Sequence, residues 1–310
     1  HPAQGQHGES NMNTIRLLTA ASAMACASLC WAGSPQLAEF GRNVPGFSEP
    51  GPARFAVADF DRDGHEDIVV PAVSGTALFQ VFGQGAGGIV SKQAVFVPDA
   101  ALASVLVASI AGQPQLVTVS QAGRVRRFAG WPLVEVHAFD IVGEPIVSAA
   151  VADVDADGVL DLVTSTAYGY STLQAHGLLD GAAHWTLPDR GGPDLLIGQF
   201  DADPALEIVV AGTPGRVIDG ATRATDWSYK DGFGIYVASG HFQAAGGKQF
   251  VASNYYGSII GFQSAPWSPI WDIPTTSYVS ALAVSDLDGD GIDDIIEGGG
   301  SWGEVNIIDG

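Results

Sequence analysis

Val284 to Ile296 reads V-S-D-L-D-G-D-G-I-D-D-I-I, which sets Asp286, Asp288, Asp290 and Asp294 around Gly291. Carboxylates at alternate positions, a glycine after the third and an acid closing the run are hard oxygen donors, and Ca²⁺ takes about six to eight of these. The pattern occurs twice more. Val57 to Val69 reads V-A-D-F-D-R-D-G-H-E-D-I-V, and Val151 to Val163 reads V-A-D-V-D-A-D-G-V-L-D-L-V. First, third, fifth and ninth positions are therefore Asp59, Asp61, Asp63 and Asp67, then Asp153, Asp155, Asp157 and Asp161. Side chains at the first three of these slots converge in a tight loop, and the seventh residue (His65, Val159 or Ile292) offers a carbonyl. Without a cation, such carboxylates repel by about 4 kcal/mol per close pair at an effective dielectric near 20. A divalent ion relieves that repulsion.

The elements that must hold these loops are strands. Aliphatic alternation flanks each loop on both sides, so each is expected to be a β-hairpin connection, shorter than the helix-loop-helix calcium loop. Degenerate copies follow from the same frame. Ile197 to Val209 keeps Asp201, Asp203 and Glu207 but has Gln199 first and Pro204 for the glycine, which predicts a weak metal site at most. Ser239 to Val251 puts His241, Gln243 and Ala245 in the aspartate slots and should hold no calcium, and Val107 to Val117 is a shortened, plain hairpin.

The first slots, Asp59, Ser109, Asp153, Gln199, His241 and Asp286, are spaced by 50, 44, 46, 42 and 45 residues. A second marker keeps the same period: Val95, Phe139, Trp185, Trp227 and Trp271 each precede the next slot by 14 or 15 positions. Four short strands per repeat of this length is the pattern of a β-propeller blade, in which neighbours bury one another's faces. The fold class is therefore all-β, a propeller of four-stranded blades with six repeats visible and the last incomplete. A stack of β-roll turns needs a repeat near nine residues, and that period is absent.

D-F-D-R-D-G-H-E-D-I-V-V followed by L-F-Q-V-F-G-Q-G-A-G-G resembles the FG-GAP or VCBS repeat proteins, whose propeller is also that of the integrin α-subunit head. The resemblance spans residues 33–310 and implies calcium at the three complete loops, with carbonyls from the seventh positions. At Ser109, Gln199 and His241 the chain departs from the family pattern. The family commonly closes with seven blades. Two closures follow: the sequence is cut inside a longer ring, the favoured expectation, or residues 36–47 supply the missing strand of a six-bladed ring and hide two sheet edges.

Residues 1–11 precede the first methionine and stand outside the expected fold. From Met12 a single positive charge at Arg16, an apolar run from Leu17 and small residues near Ala32 predict a secretory signal peptide over residues 12–32. Both cysteines, Cys26 and Cys30, fall inside it, so core and metal rather than disulfides must hold the domain. No membrane span is expected in the remainder, and the protein is expected outside the cytoplasm: secreted, periplasmic or at a bacterial surface. A formal charge of −21 argues against nucleic acid or an anionic bilayer as partner.

No nucleophile elbow, phosphate-cradling glycine loop, His-Glu-x-x-His or reactive thiol is present. The expected function is a non-enzymatic binding or adhesion module for protein or carbohydrate; the alternative is the propeller of a secreted polysaccharide lyase or hydrolase. Tyr168, Tyr170, Tyr255, Tyr256 and Trp302 fall in turns between second and third strands, on the face opposite the calcium loops. Exposed aromatics there would form a platform for such a ligand.

Overall fold

The computed structural model describes residues 55–71, 78–97, 101–166, 172–244, 247–254, 257–275, 278–299 and 304–310. Every regular element among them is a β-strand, gathered into six antiparallel sheets in chain order. Blade one pairs Ala56–Ala58, Asp67–Pro71, Phe79–Gly85 and Gly88–Val95. Blade two pairs Leu102–Ile110, Gln113–Ser120, Arg124–Ala129 and Val134–Asp140. Blade three pairs Ile146–Ala152, Asp161–Thr166, Thr172–Gly177 and Ala183–Pro188. Blade four pairs Leu195–Gly198, Glu207–Val210, Gly215–Asp219 and Thr225–Tyr229. Blade five pairs Val237–Gly240, Gln249–Asn254, Ser258–Gln263 and Ser268–Pro274. Blade six has three described strands, Val279–Ser285, Asp294–Gly299 and Glu304–Ile308. The molecule is a six-bladed β-propeller, and the repeat frame predicted its blades. The expected signal segment and residues 36–47 lie outside the described residues.

Each hydrophobic cluster is a seam between two consecutive blades. Val69 and Phe79 of blade one meet Leu116 and Phe128 of blade two, and the two phenylalanine rings stand edge to face at 5.0 Å. Second strands feed both seams at once. Leu162 packs toward blade two while Val163 packs toward blade four, and Phe250 and Val251 divide the same way between blades four and six. Successive side chains of a strand point to opposite faces, so a strand buried on both favours a continuous apolar run. The second strands accordingly carry I-V-V, L-V and I-V-V after the ninth residue; in blade three the run continues into buried Thr164, Ser165 and Thr166, where Ser165 Oγ donates to Gly192 O and Thr166 Oγ1 accepts the Thr172 N–H. The fourth-strand markers Val95, Phe139, Trp185, Trp227 and Trp271 all pack half-buried against these seams.

Polar contacts clasp the first strands where they neighbour one another. The Ala149 N–H donates to Ser104 Oγ at 2.9 Å, linking blades two and three. Buried Asp194 accepts from Ser148 Oγ at 3.2 Å and from the Val237 N–H at 3.1 Å, so one carboxylate ties blades three, four and five.

Candidate metal centres

All the acidic loops join the first and second strands of a blade, as the flanking alternation predicted. Their registers are equivalent: Ala58 faces Asp67, Ala152 faces Asp161, Gly198 faces Glu207, Gly240 faces Gln249 and Ser285 faces Asp294. Blade two has instead a two-residue turn, Ala111 and Gly112, both at positive φ, between Ile110 and Gln113. It is the plain hairpin expected there.

Within the three complete loops the backbone is left-handed at the fourth and sixth positions. Arg62, Ala156 and Gly289 hold the fourth, and Gly64, Gly158 and Gly291 the sixth, at φ of +85°, +89° and +90°. Glycine reaches that region without the Cβ penalty, which accounts for its place in the motif. Proline cannot adopt it, so Pro204 forces loop four onto another path. The first aspartate anchors the turn: Asp59 accepts from the N–H groups of Asp63 and Gly64, each at 3.1 Å, Asp153 accepts from Asp157 and Gly158 in the same way, and Asp286 accepts from Gly289 and Gly291. Each fifth-position carboxylate accepts from the seventh N–H: His65 to Asp63, Val159 to Asp157 and Ile292 to Asp290, at 2.8 to 2.9 Å.

Four groups of acids come together with one carboxylate oxygen from each lying within 4.8 Å of the others: Asp59, Asp61 and Asp67; Asp153, Asp155 and Asp157; Asp201, Asp203 and Glu207; Asp286, Asp288 and Asp290. The degenerate fourth loop thus assembles its acids as the complete ones do. Its Glu207 is fully buried, and Oε1 has no hydrogen-bond partner while Oε2 accepts the Phe200 N–H. Burial, reinforced by Asp201 and Asp203, pushes Glu207 up to about 7. In loop three the Asp155 Oδ1 is likewise buried and without a hydrogen bond, and the Arg223 guanidinium lies 3.5 Å from Oδ2. Orphaned carboxylate oxygens facing other carboxylates suit a bound hard cation.

The ninth residue behaves differently from the expectation. In loops three and six Asp161 and Asp294 stand outside the clusters, although they share the register and the backbone contact of Asp67 and Glu207, which stand inside theirs. Asp161 Oδ2 accepts the Val154 N–H at 3.3 Å, and its Oδ1 lies 2.7 Å from His184 Nδ1. Asp294 accepts from Leu287 and Gly310 N–H groups at 2.9 and 3.3 Å.

Blade one carries a partner that the motif does not predict. Lys92, on the fourth strand, donates to Asp61 Oδ2 at 2.5 Å and to Asp63 Oδ2 at 2.9 Å, and lies 3.0 Å from Asp67 Oδ1. Burial opposes its charge, but the three carboxylates outweigh that and raise its pKa. The side chain of Asp67, fully buried, is pushed up by desolvation and drawn back down by Lys92. Lys92 sits in a β-bulge between the pairs Val81/Gln93 and Phe82/Ser91, and His184 occupies the equivalent bulge of blade three. The marker does not locate this position from sequence: His184 directly precedes Trp185, whereas Lys92 lies three residues before Val95. The aromatic platform residues Tyr168, Tyr170, Tyr255, Tyr256 and Trp302 lie outside the described residues.

No protein-family model matches the sequence, and no curated protein matches it. Solved structures do share the fold. The chain is similar to BBS1N from its crystal structure in complex with ARL6DN, soaked with lead: TM-score 0.63, 13% identity, covering 85% of this chain and 81% of that one. The mercury-soaked crystal of the same complex aligns with a TM-score of 0.57 at 13% identity, over 84% of this chain and 94% of that one. Saccharomyces cerevisiae Sqt1 aligns with a TM-score of 0.58 at 11% identity, over 83% of this chain and 72% of that one.

Proposed function

We propose that this protein is a calcium-stabilised β-propeller of the FG-GAP/VCBS kind, exported by way of residues 12–32, that works as a non-enzymatic binding module. The observation that carries the reading is the recurrence of converging acids at one register in the first hairpins of blades one, three, four and six. Loops three and six are the best sites. Asp153, Asp155 and Asp157, and Asp286, Asp288 and Asp290, would hold the ion there, with Asp201, Asp203 and Glu207 as a weaker third set. Carbonyl donation by Val159 and Ile292 follows from the family resemblance. Bound calcium supplies the positive charge that lets these carboxylates lie close together. The chain's own part is to preset the loop: the first aspartate folds the turn, the fifth holds the seventh N–H, and the ninth pins the loop to its sheet.

BBS1N was crystallised in complex with ARL6DN, so a chain of similar fold is found there with a protein partner. That favours a protein ligand over carbohydrate for the face opposite the calcium loops. Turnover of polysaccharides by the purified chain would overturn the non-enzymatic half of the reading. For the calcium half, the test is a thermal melt of the full chain in EGTA and across a calcium titration, with magnesium as control. Saturation at a hundredfold over Kd stabilises by about 2.7 kcal/mol per site. Melting temperature should rise with calcium alone, and Asp155→Ala with Asp288→Ala should abolish most of the rise; no calcium response would refute it.

A further inference from the structure

We propose that blade one carries its own cation: the Lys92 ammonium takes the place of the metal, so the first loop, although complete in sequence, does not bind calcium. The inference concerns which of the sites named above are metal sites, and its test is separable from that reading.

The geometry is that of substitution rather than of a neighbouring ion pair. Lys92 Nζ lies 2.5, 2.9 and 3.0 Å from oxygens of Asp61, Asp63 and Asp67, three of the four ligand side chains, and the lysine side chain is 11% exposed. Calcium would need those same oxygens at about 2.3–2.6 Å. Both cations cannot share them.

The surrounding strand is shaped for the lysine. Gly83 stands on the third strand beside Asp67, and a Cβ there would lie 2.0 Å from Asp67 Oδ1 and 2.6 Å from Lys92 Cε. The absent side chain is the gap through which Lys92 reaches the carboxylates. Blade three has Gly177 at the equivalent position, where a Cβ would come within 2.4 Å of Asp180 Oδ1 and 3.2 Å of His184 Nε2, and there the shorter imidazole pairs with Asp161, leaving Asp153, Asp155 and Asp157 clustered. Where the loop has lost its acids the bulge position is apolar: Ile270 in blade five, whose loop carries His241 and Gln243, and Val136 in blade two, whose hairpin has no loop. Among the described residues a basic bulge residue is found only with a complete loop, blade four having Asp226 there, and of Lys92 and His184 only the lysine is long enough to fill its loop.

The experiment counts bound calcium by equilibrium dialysis in the full chain and in Lys92→Gln, with melts of both in EGTA and in calcium. Lys92→Gln should melt lower in EGTA, recover with calcium, and bind one more ion than the parent. That increment is expected whether the parent binds several ions or none, so failure of the other loops does not obscure it. Lys92→Gln binding no additional ion would overturn the proposal. Asp61→Asn in the parent guards against a variant that fails to fold. Removing a lysine partner, it should lower the melting temperature equally in EGTA and in calcium; loss of one bound ion would overturn the proposal.

Discussion

Asp67 Oδ2 accepts the backbone N–H of Phe60 at 3.1 Å, seven residues back across the loop. The same contact joins Asp161 to Val154, Glu207 to Phe200, Gln249 to Phe242 and Asp294 to Leu287. The ninth position is therefore a structural cap first. Blade five shows that an amide oxygen suffices.

This separates capping from charge. Asp294→Asn in EGTA should unfold within about 1 kcal/mol of the parent, because an acceptor remains. Gln249→Ala should lose about 1–3 kcal/mol, the cost of leaving the buried Phe242 N–H unpaired. Urea unfolding of the two variants checks both, and equal losses would contradict the cap.

Asp194 clasps three blades through Ser148 and Val237. Asp194→Ala should cost about 3 kcal/mol, since two buried donors lose a charged acceptor. The calcium response should survive, because the residue lies outside every acid cluster. A melt in EGTA and in calcium measures both effects together.

Gly220 is where loop three rests on blade four. A Cβ there would meet the Val154 carbonyl oxygen at 2.1 Å and that of Leu206 at 2.6 Å, while the Leu206 N–H donates to Val154 O at 2.9 Å. Gly220→Ala must push the blades apart, and a loss of about 1–3 kcal/mol is expected in urea unfolding.

Acid pH should favour the calcium-free protein over the range in which Glu207 titrates. Burial raises its folded pKa from 4.5 to about 7, so between those values the folded state holds a proton that the unfolded state has lost. Stability is then greatest below pH 4.5 for this group and falls as pH rises to about 7, by an amount on the order of 3 kcal/mol. Asp67, Asp161 and Asp226, all raised chiefly by burial, add the same sign at lower pH. Urea titrations in EGTA at pH 5 and about pH 7.5 should differ less for Glu207→Gln than for the parent.

The repeat frame, the all-β class and the place of every acidic loop were legible in the chain because they rest on local facts. Spacing within a hairpin, glycine at the sixth position and an aliphatic run after the ninth are set by neighbours in sequence. The tertiary structure alone decided what each loop meets. Lys92 lies 25 residues beyond Asp67 and arrives through a bulge and a glycine gap; Asp194 finds Val237 only because two blades stand side by side. It also decided that Asp161 and Asp294 stand outside their clusters while Asp67 and Glu207 stand within theirs. Local spacing specifies which carboxylates a loop carries, whereas their partners depend on how sheets remote in sequence pack, and that packing is written in no single repeat.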